Sequence, residues 1–243
     1  MPPDVVLEEL EHELESFYDP DEFHREVVYY DVHSPESVTR EEAREADKRA
    51  METFGIPSIL LMESAAVAVL REIKEYAVFA IVCSPGSNGG DGLALARHLC
   101  ILGKDVRVFI VGDPNKGSED FKTNLKVMSK LAPEVLHTVN DENFEDLESA
   151  LRGCETCVDA LLGTGLNRPV EGMYRRVIEA MNSLAMHITS VDIPSGLDCD
   201  TGEPLGVCVR ATKTVTFHRM KKGLDISPQY GGDVAVSYIG IPN

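Results

Sequence analysis

From residue 78 onward the chain alternates between two apolar patterns. Short runs rich in β-branched residues, such as "VFAIVC" and "DVRVFIV", are each followed by a longer stretch with apolar side chains every three or four positions. The first pattern suits a strand buried on both faces and the second an amphipathic helix. Strand-like runs cover 78–84, 105–112, 134–139, 156–163, 187–193, 212–217 and 234–240. Helices fit between the first five, at about 91–103, 118–131, 142–152 and 171–183. Strand, helix, strand at this spacing needs crossover connections, so an α/β class with a mostly parallel sheet is expected. No helical pattern separates the last two runs, which leaves an antiparallel edge pair open.

Two helices are expected ahead of the first strand. "SVTREEAREADKRAMETFGI" opens with Thr39 followed three residues later by Glu42, a capping box, and should end near Gly55, before Pro57. "SILLMESAAVAVLREIKEY" is apolar on most faces and rich in alanine, so it is expected to be buried. Further upstream, Val6, Leu7, Leu10, Leu14 and Phe17 have helical spacing with acids on the opposite face. The segment after them reads as a linker. Residues 1–37 are therefore taken as an acidic N-terminal extension and 38–243 as the main domain.

Charge sharpens that division. The formal net charge is −18, and residues 1–37 hold twelve Asp/Glu and one Arg, a net −11. The remainder is mildly acidic, and neither part resembles a surface for nucleic acid. No apolar run approaches the roughly 20 residues of a membrane span. The N-terminus lacks the basic start and apolar core of a signal peptide, so a cytoplasmic protein is the default expectation. Of six cysteines only Cys154 and Cys157 form a C-x-x-C. With no second pair to complete a zinc site, they read as free buried thiols at the start of a strand.

Open parallel sheets bind ligands at the carboxyl ends of their strands. The first strand runs into Ser84-Pro85-Gly86-Ser87-Asn88-Gly89-Gly90-Asp91-Gly92, with Asp91 expected at the helix start. The fourth carries Asp159 and leads to Gly163-Thr164-Gly165-Leu166-Asn167-Arg168-Pro169. The fifth ends in Asp192-Ile193-Pro194-Ser195-Gly196, and the sixth leads to His218, Arg219, Lys221 and Lys222. Acids, amides, hydroxyls and glycines thus recur at one edge of the sheet. The first loop lacks the Lys-Ser/Thr of a Walker loop and the spacing of G-x-G-x-x-G, which argues against a P-loop kinase. Glycines 89 and 90 would let a ligand approach the backbone, and Asp91 could cap the helix and bond a ligand. Asp159 and Asp192 stand in apolar strands, where a buried carboxylate must be paired, protonated or bound to a cation.

Together, "SNGGDGLALARHL", "VDALLGTGLNRPVEG", "VDIPSGLDCDTGEPLG" and "VTFHRMKKGL" resemble the NAD(P)H-hydrate epimerase family, the YjeF N-terminal domain. "EAREADKRAMETFGIPSILLMESAA" is similar to that family's leading helices, so the resemblance covers about 38–243. It implies a Rossmann-like three-layer α/β/α sandwich, a homodimer, a bound potassium ion and NADHX or NADPHX as substrate. The implied reaction interconverts the R and S epimers of that hydrated cofactor, coupled to a separate NAD(P)H-hydrate dehydratase. The alternative is a non-catalytic binding or scaffold role for the same domain. By match, Asn88, Asp159 and Ser195 resemble the potassium ligands. Ser87 to Asp91, Gly163 to Pro169, and Asp192 resemble substrate contacts. Asp192 is taken as the acid/base, with Lys221 the second catalytic candidate. Two residues depart from the family pattern: Ser87, where Asn is usual, and Ser64 in "MESA", where "MENA" is usual. Both substitutions bear on substrate binding rather than on the reaction class.

Overall fold

The computed structural model describes residues 37–242. The helix expected within 5–17, and nearly all of the acidic extension, lie outside the described residues. Within them the elements follow in the order α1 (Arg40–Glu52), α2 (Ser58–Ile73), β1 (Val78–Cys83), α3 (Ser87–Ile101), β2 (Asp105–Val111), α4 (Glu119–Leu131) and β3 (Leu136–Val139). Then come α5 (Phe144–Gly153), β4 (Thr156–Ala160), α6 (Gly172–Leu184), β5 (Ile188–Val191), β6 (Lys213–Phe217), α7 (Lys222–Ile226), α8 (Pro228–Gly231) and β7 (Asp233–Ser237).

The strands form one sheet in the order β3-β2-β1-β4-β5-β6-β7. All six pairings are parallel. The last pair is therefore not the antiparallel hairpin that the sequence left open. The short helices α7 and α8 make the return crossover within the fifteen residues between Phe217 and Asp233. That connection is too brief to leave a helical period in the sequence.

Alternation along the strands distributes side chains to two cores. Phe79, Ile81 and Cys83 of β1 pack with α2, α3 and α4 on one face. Ala80 and Val82 pack with α5 and α6 on the other. A β-strand has a side-chain period of two, so one central strand serves both layers. The result is a three-layer α/β/α sandwich. Helix α1 opens with the expected capping box: Glu42 N–H donates to Thr39 Oγ1, and Thr39 N–H donates to the Glu42 carboxylate at 2.8 Å. Helix α2 is buried as its alanine content suggested, with Ala65, Ala66 and Ala68 in the core.

Helix α3 begins at Ser87, four residues earlier than expected. Its N-cap is Gly86, which makes no side-chain cap bond. Asp91 therefore lies a turn inside the helix and does not cap it. Glycines are needed here for close packing within the fold. A Cβ at Gly89 would stand 1.8 Å from the Ser84 carbonyl oxygen. At Gly90 it would meet Met62 Cε at 2.6 Å, and at Gly92 it would meet Ala160 Cβ at 2.6 Å. The glycine run lets the start of α3 press onto the β1 turn and the sheet.

Candidate active site

The strand order reverses between β1 and β4. From β1 the chain moves outward through β2 and β3, then crosses to the other side of β1 to begin β4. Such switch points open a crevice above the carboxyl ends of the strands. A cleft of about 660 Å³ lies there. Its walls come from Ser84 and Gly86–Asn88 after β1, Leu161–Arg168 after β4, Asp192 after β5, and Phe217, His218 and Lys221 after β6. Helix α1 contributes Ala43, Arg44, Asp47 and Met51, and α2 contributes Leu61 and Met62. The cleft thus gathers Ser87, Asn88, Asp91, Asp192 and Lys221 with residues 163–168. Gly89 and Gly90 lie beneath the wall, and Pro169 is exposed outside it.

Asp192 is held in an unusual backbone conformation, with φ of 65°. Few non-glycine residues adopt this region, and it recurs where surrounding structure imposes it at functional sites. The constraint is visible here. Asp192 N–H donates to Val215 O at 2.8 Å. Its Oδ1 accepts from Lys221 Nζ at 2.6 Å, Phe217 N–H at 3.1 Å and Thr216 Oγ1 at 3.2 Å. Its Oδ2 has no hydrogen-bond partner among the described residues. Lys221 is buried, and Nζ also reaches Phe217 O at 2.7 Å and Arg219 O at 3.3 Å. Thr216 Oγ1 lies at 3.2 Å as well, so the three ammonium hydrogens are fully engaged and the ion orients the carboxylate.

Acids line the facing wall. Burial pushes the Asp91 carboxyl well above the usual range, and the charges of Asp192, Asp47 and Asp120 push it further. Asp47 is raised to about 6, first by desolvation and then by Asp192, with Lys221 opposing. His218, also at φ 64°, is lowered to about 4 by desolvation and by Arg219, Lys221 and Arg49. It is therefore neutral near pH 7 and adds no charge to the cleft.

Asp159 and Ser195 lie below the cleft floor, both fully buried. Asp159 Oδ2 accepts from Ser190 Oγ at 2.8 Å and from Ser195 N–H at 2.8 Å. Its Oδ1 accepts from Ser195 Oγ at 2.5 Å and Leu161 N–H at 3.3 Å. Ser195 Oγ in turn accepts from Leu162 N–H at 2.7 Å. Burial still pushes the Asp159 carboxyl up, since no cation pairs with it among the described residues. Asn88 is nearly buried beside Gly163, and its Nδ2 has no hydrogen-bond partner among the described residues.

Sequence reasoning passed over Arg44, Asp47 and Asp120, and named His218 only among the polar residues after the sixth strand. The first two sit in "EAREADKRA", where every polar residue of an exposed helix looks alike. Their i, i+3 spacing, which puts both on one helix face, was the available signal. Ser64 is exposed on α2 and donates back to Leu60 O at 3.0 Å, outside the cleft walls. Its departure from the family pattern therefore does not touch the cleft, whereas Ser87 lies on its rim. Cys154 and Cys157 are free thiols, as expected. No helix among the described residues is long and apolar enough to cross a membrane.

Comparison with known proteins agrees with this architecture. A crystal structure of the yeast protein YNL200c superposes with a TM-score of 0.68 at 25% identity, covering 84% of this chain and 87% of the yeast chain. The NAD(P)H-hydrate epimerase of Anaerococcus prevotii is 39% identical over 201 residues, covering 82% of this chain and 92% of that protein. The bifunctional NAD(P)H-hydrate repair enzyme Nnr of Thermofilum pendens is 44% identical over 202 residues. That match covers 81% of this chain but 38% of the longer relative. Residues 58–223, which include the glycine turn, the buried Asp159 network and the Asp192–Lys221 pair, match the family described as YjeF-related protein N-terminus, and the chain belongs to that family.

Proposed function

We propose that the protein is an NAD(P)H-hydrate epimerase, an isomerase acting on the R and S forms of NADHX and NADPHX. The observation that carries this reading is the Asp192 carboxylate in the cleft, one oxygen held by three donors and the other without a partner among the described residues. Relatives that share most of the chain are named for the same activity.

The hydrated carbon lies between the ring nitrogen and a hydroxyl, so it is a hemiaminal and its inversion needs no redox step. A proton passes to the hydroxyl through Asp192 Oδ2, the oxygen that no described residue holds. The hydroxyl leaves as water while the nitrogen lone pair forms a planar iminium. Water then adds to either face and returns its proton to Asp192, which restores the starting state. Ring opening to an aldehyde and reclosure would use the same proton transfers. Lys221 keeps Oδ1 engaged, so the free oxygen stays directed at the ligand. The carboxyl groups of Asp47 and Asp91 line the same space. The charge of Asp47, ionised above its raised pKa of about 6, favours a cationic ring within a partly desolvated cleft.

A potassium ion belongs to the same proposal. The buried Asp159 carboxylate with no cationic partner and the unpartnered Asn88 amide suit a hard monovalent cation bound by oxygens. Asn88, rotated to present its oxygen, and Asp159 would hold it, with Ser195 contributing its remaining lone pair. Bound there, the ion would supply a positive charge that offsets Asp159 and orders the Leu161–Gly165 turn. Homodimerisation is carried over likewise. Met51 on α1, Phe54 in the turn after it and Leu60 on α2 expose apolar surface.

The test incubates R-NADHX with the protein and an S-specific dehydratase and follows NADH absorbance. Epimerase activity accelerates NADH formation beyond the spontaneous epimerisation rate. No acceleration in potassium buffer would refute the reading.

A further inference from the structure

The cleft walls carry both carboxylates and cations. Asp192, Asp91 and Asp47 cluster about the reacting end, and Lys221 is consumed by Asp192. The other cations on the walls are Arg44 and Arg168, and neither has a hydrogen bond or ion pair among the described residues. Arg44 differs in this from its neighbours on α1. Arg40 bonds Asp198 at 2.8 Å, Arg49 donates to Pro242 O at 2.8 Å, and Lys48 lies 4.0 Å from Glu52. The guanidinium of Arg44 instead reaches over the cleft to the loop after β4. Its Nη2 lies 3.7 Å from where a Cβ would stand on Gly165. Arg168 belongs to that same loop.

The helix carrying Arg44 is firmly seated. Val38 bridges Lys221 in parallel, Arg40 N–H donates to Asp200 Oδ1 at 2.7 Å, and Ser37 Oγ donates to Asp225 at 3.0 Å. An arginine on a fixed helix loses less freedom on binding than one on a loose segment. The strong anions of the proposed substrate are its phosphates, and guanidinium is the side chain best matched to them.

We infer that Arg44 binds a phosphate of the dinucleotide, opposite Arg168, and so orients the hydrated ring toward Asp192. The inference rests on the epimerase reading for the substrate's identity.

The test compares wild type, Arg44→Ala and Arg44→Lys on two probes. Titration with ADP-ribose, which has the diphosphate but no nicotinamide ring, reads phosphate binding without catalysis. Arg44→Ala should bind about 10–100-fold more weakly, as expected for one lost charge-assisted hydrogen bond, with Arg44→Lys intermediate. In the coupled assay, KM for R-NADHX should rise by a similar factor with kcat nearly unchanged. A phosphate-free hydrated dihydronicotinamide riboside should be turned over equally by wild type and Arg44→Ala. Undetectable ADP-ribose binding by wild type, equal binding by Arg44→Ala, or an equal loss on the riboside would overturn the inference. If wild type binds ADP-ribose through Arg44 but leaves NADHX untouched, the epimerase reading fails while the phosphate site stands.

Discussion

Replacing Lys221 by Met tests the Asp192–Lys221 pair most directly. Methionine is unbranched and of similar length, so it fills the same channel and leaves little cavity. What disappears is the ammonium that joins Asp192 Oδ1 at 2.6 Å and Phe217 O at 2.7 Å. Removing one member of a buried ion pair typically costs about 3–5 kcal/mol. The Lys221 side chain is 4% exposed but that of Asp192 is 17% exposed, so water in the cleft can partly solvate the abandoned carboxylate. The expected loss is therefore at or just below the lower end of that range, about 2–3 kcal/mol. At about 2–4 °C per kcal/mol for a domain of this size, Tm should fall by roughly 5–10 °C. Asp192→Asn leaves an acceptor for Phe217 N–H, and Asn tolerates a positive φ, so by itself it should cost less. It does leave the Lys221 charge without its partner. The double variant removes both charges together. Urea denaturation of all four proteins at one pH and ionic strength should give a coupling energy of about 1–3 kcal/mol. Turnover gives a second reading, since Asp192→Asn should lower kcat about 10²–10⁴-fold with the fold retained. Single-variant losses that add to within about 0.5 kcal/mol would refute a coupled pair. A kcat within a few-fold of wild type would move the acid/base elsewhere.

Three further outcomes are expected. Gly89→Ala should destabilise the fold by several degrees in a thermal melt, because its Cβ would meet backbone at 1.8 Å, whereas Gly153→Ala, with nothing within 4 Å, should be near neutral. Asp47, raised from 3.8 to about 6, favours folding in its protonated form; that contribution is complete below about 3.8 and is lost as pH rises through about 6. Asp47→Asn should therefore match wild type near pH 4 and be more stable at pH 8, by about 1 kcal/mol once solvent screening of this exposed side chain is counted; equal urea midpoints at both pH values would contradict it. Exchanging sodium for potassium at constant ionic strength should raise the wild-type melting temperature but not that of Asp159→Ala, and an unchanged potassium response in the variant would remove Asp159 from the cation site.

The alternation of buried strand runs with amphipathic stretches already specified an α/β chain with parallel strands, since each pattern depends only on neighbours along the sequence. The Thr39–Glu42 capping box was legible for the same reason. So was the gathering of Asn88, Asp91, Asp159, Asp192 and Lys221 near one edge of the sheet, because parallel strands align their carboxyl ends. Which loops share a cleft was another matter. That follows from the strand order, in which β4 pairs with β1 across residues far apart in sequence. Long-range pairing also decided that β7 runs parallel, through two helices too short to show a period. The start of α3 moved to Ser87 because Gly89 and Gly92 permit contact with Ser84 and Ala160, a fit no local propensity encodes. Asp159 went under the floor and Asp192 onto it, although both stood as lone acids in apolar runs. The register that sets Asp159 against Ser190 supplies buried hydroxyls to the first. The bend at φ 65° turns the second toward Lys221 and the cleft. Arg44 and Asp47 joined the site only because α1 is clamped across it by Lys221 and Asp200, contacts between residues more than 150 positions apart.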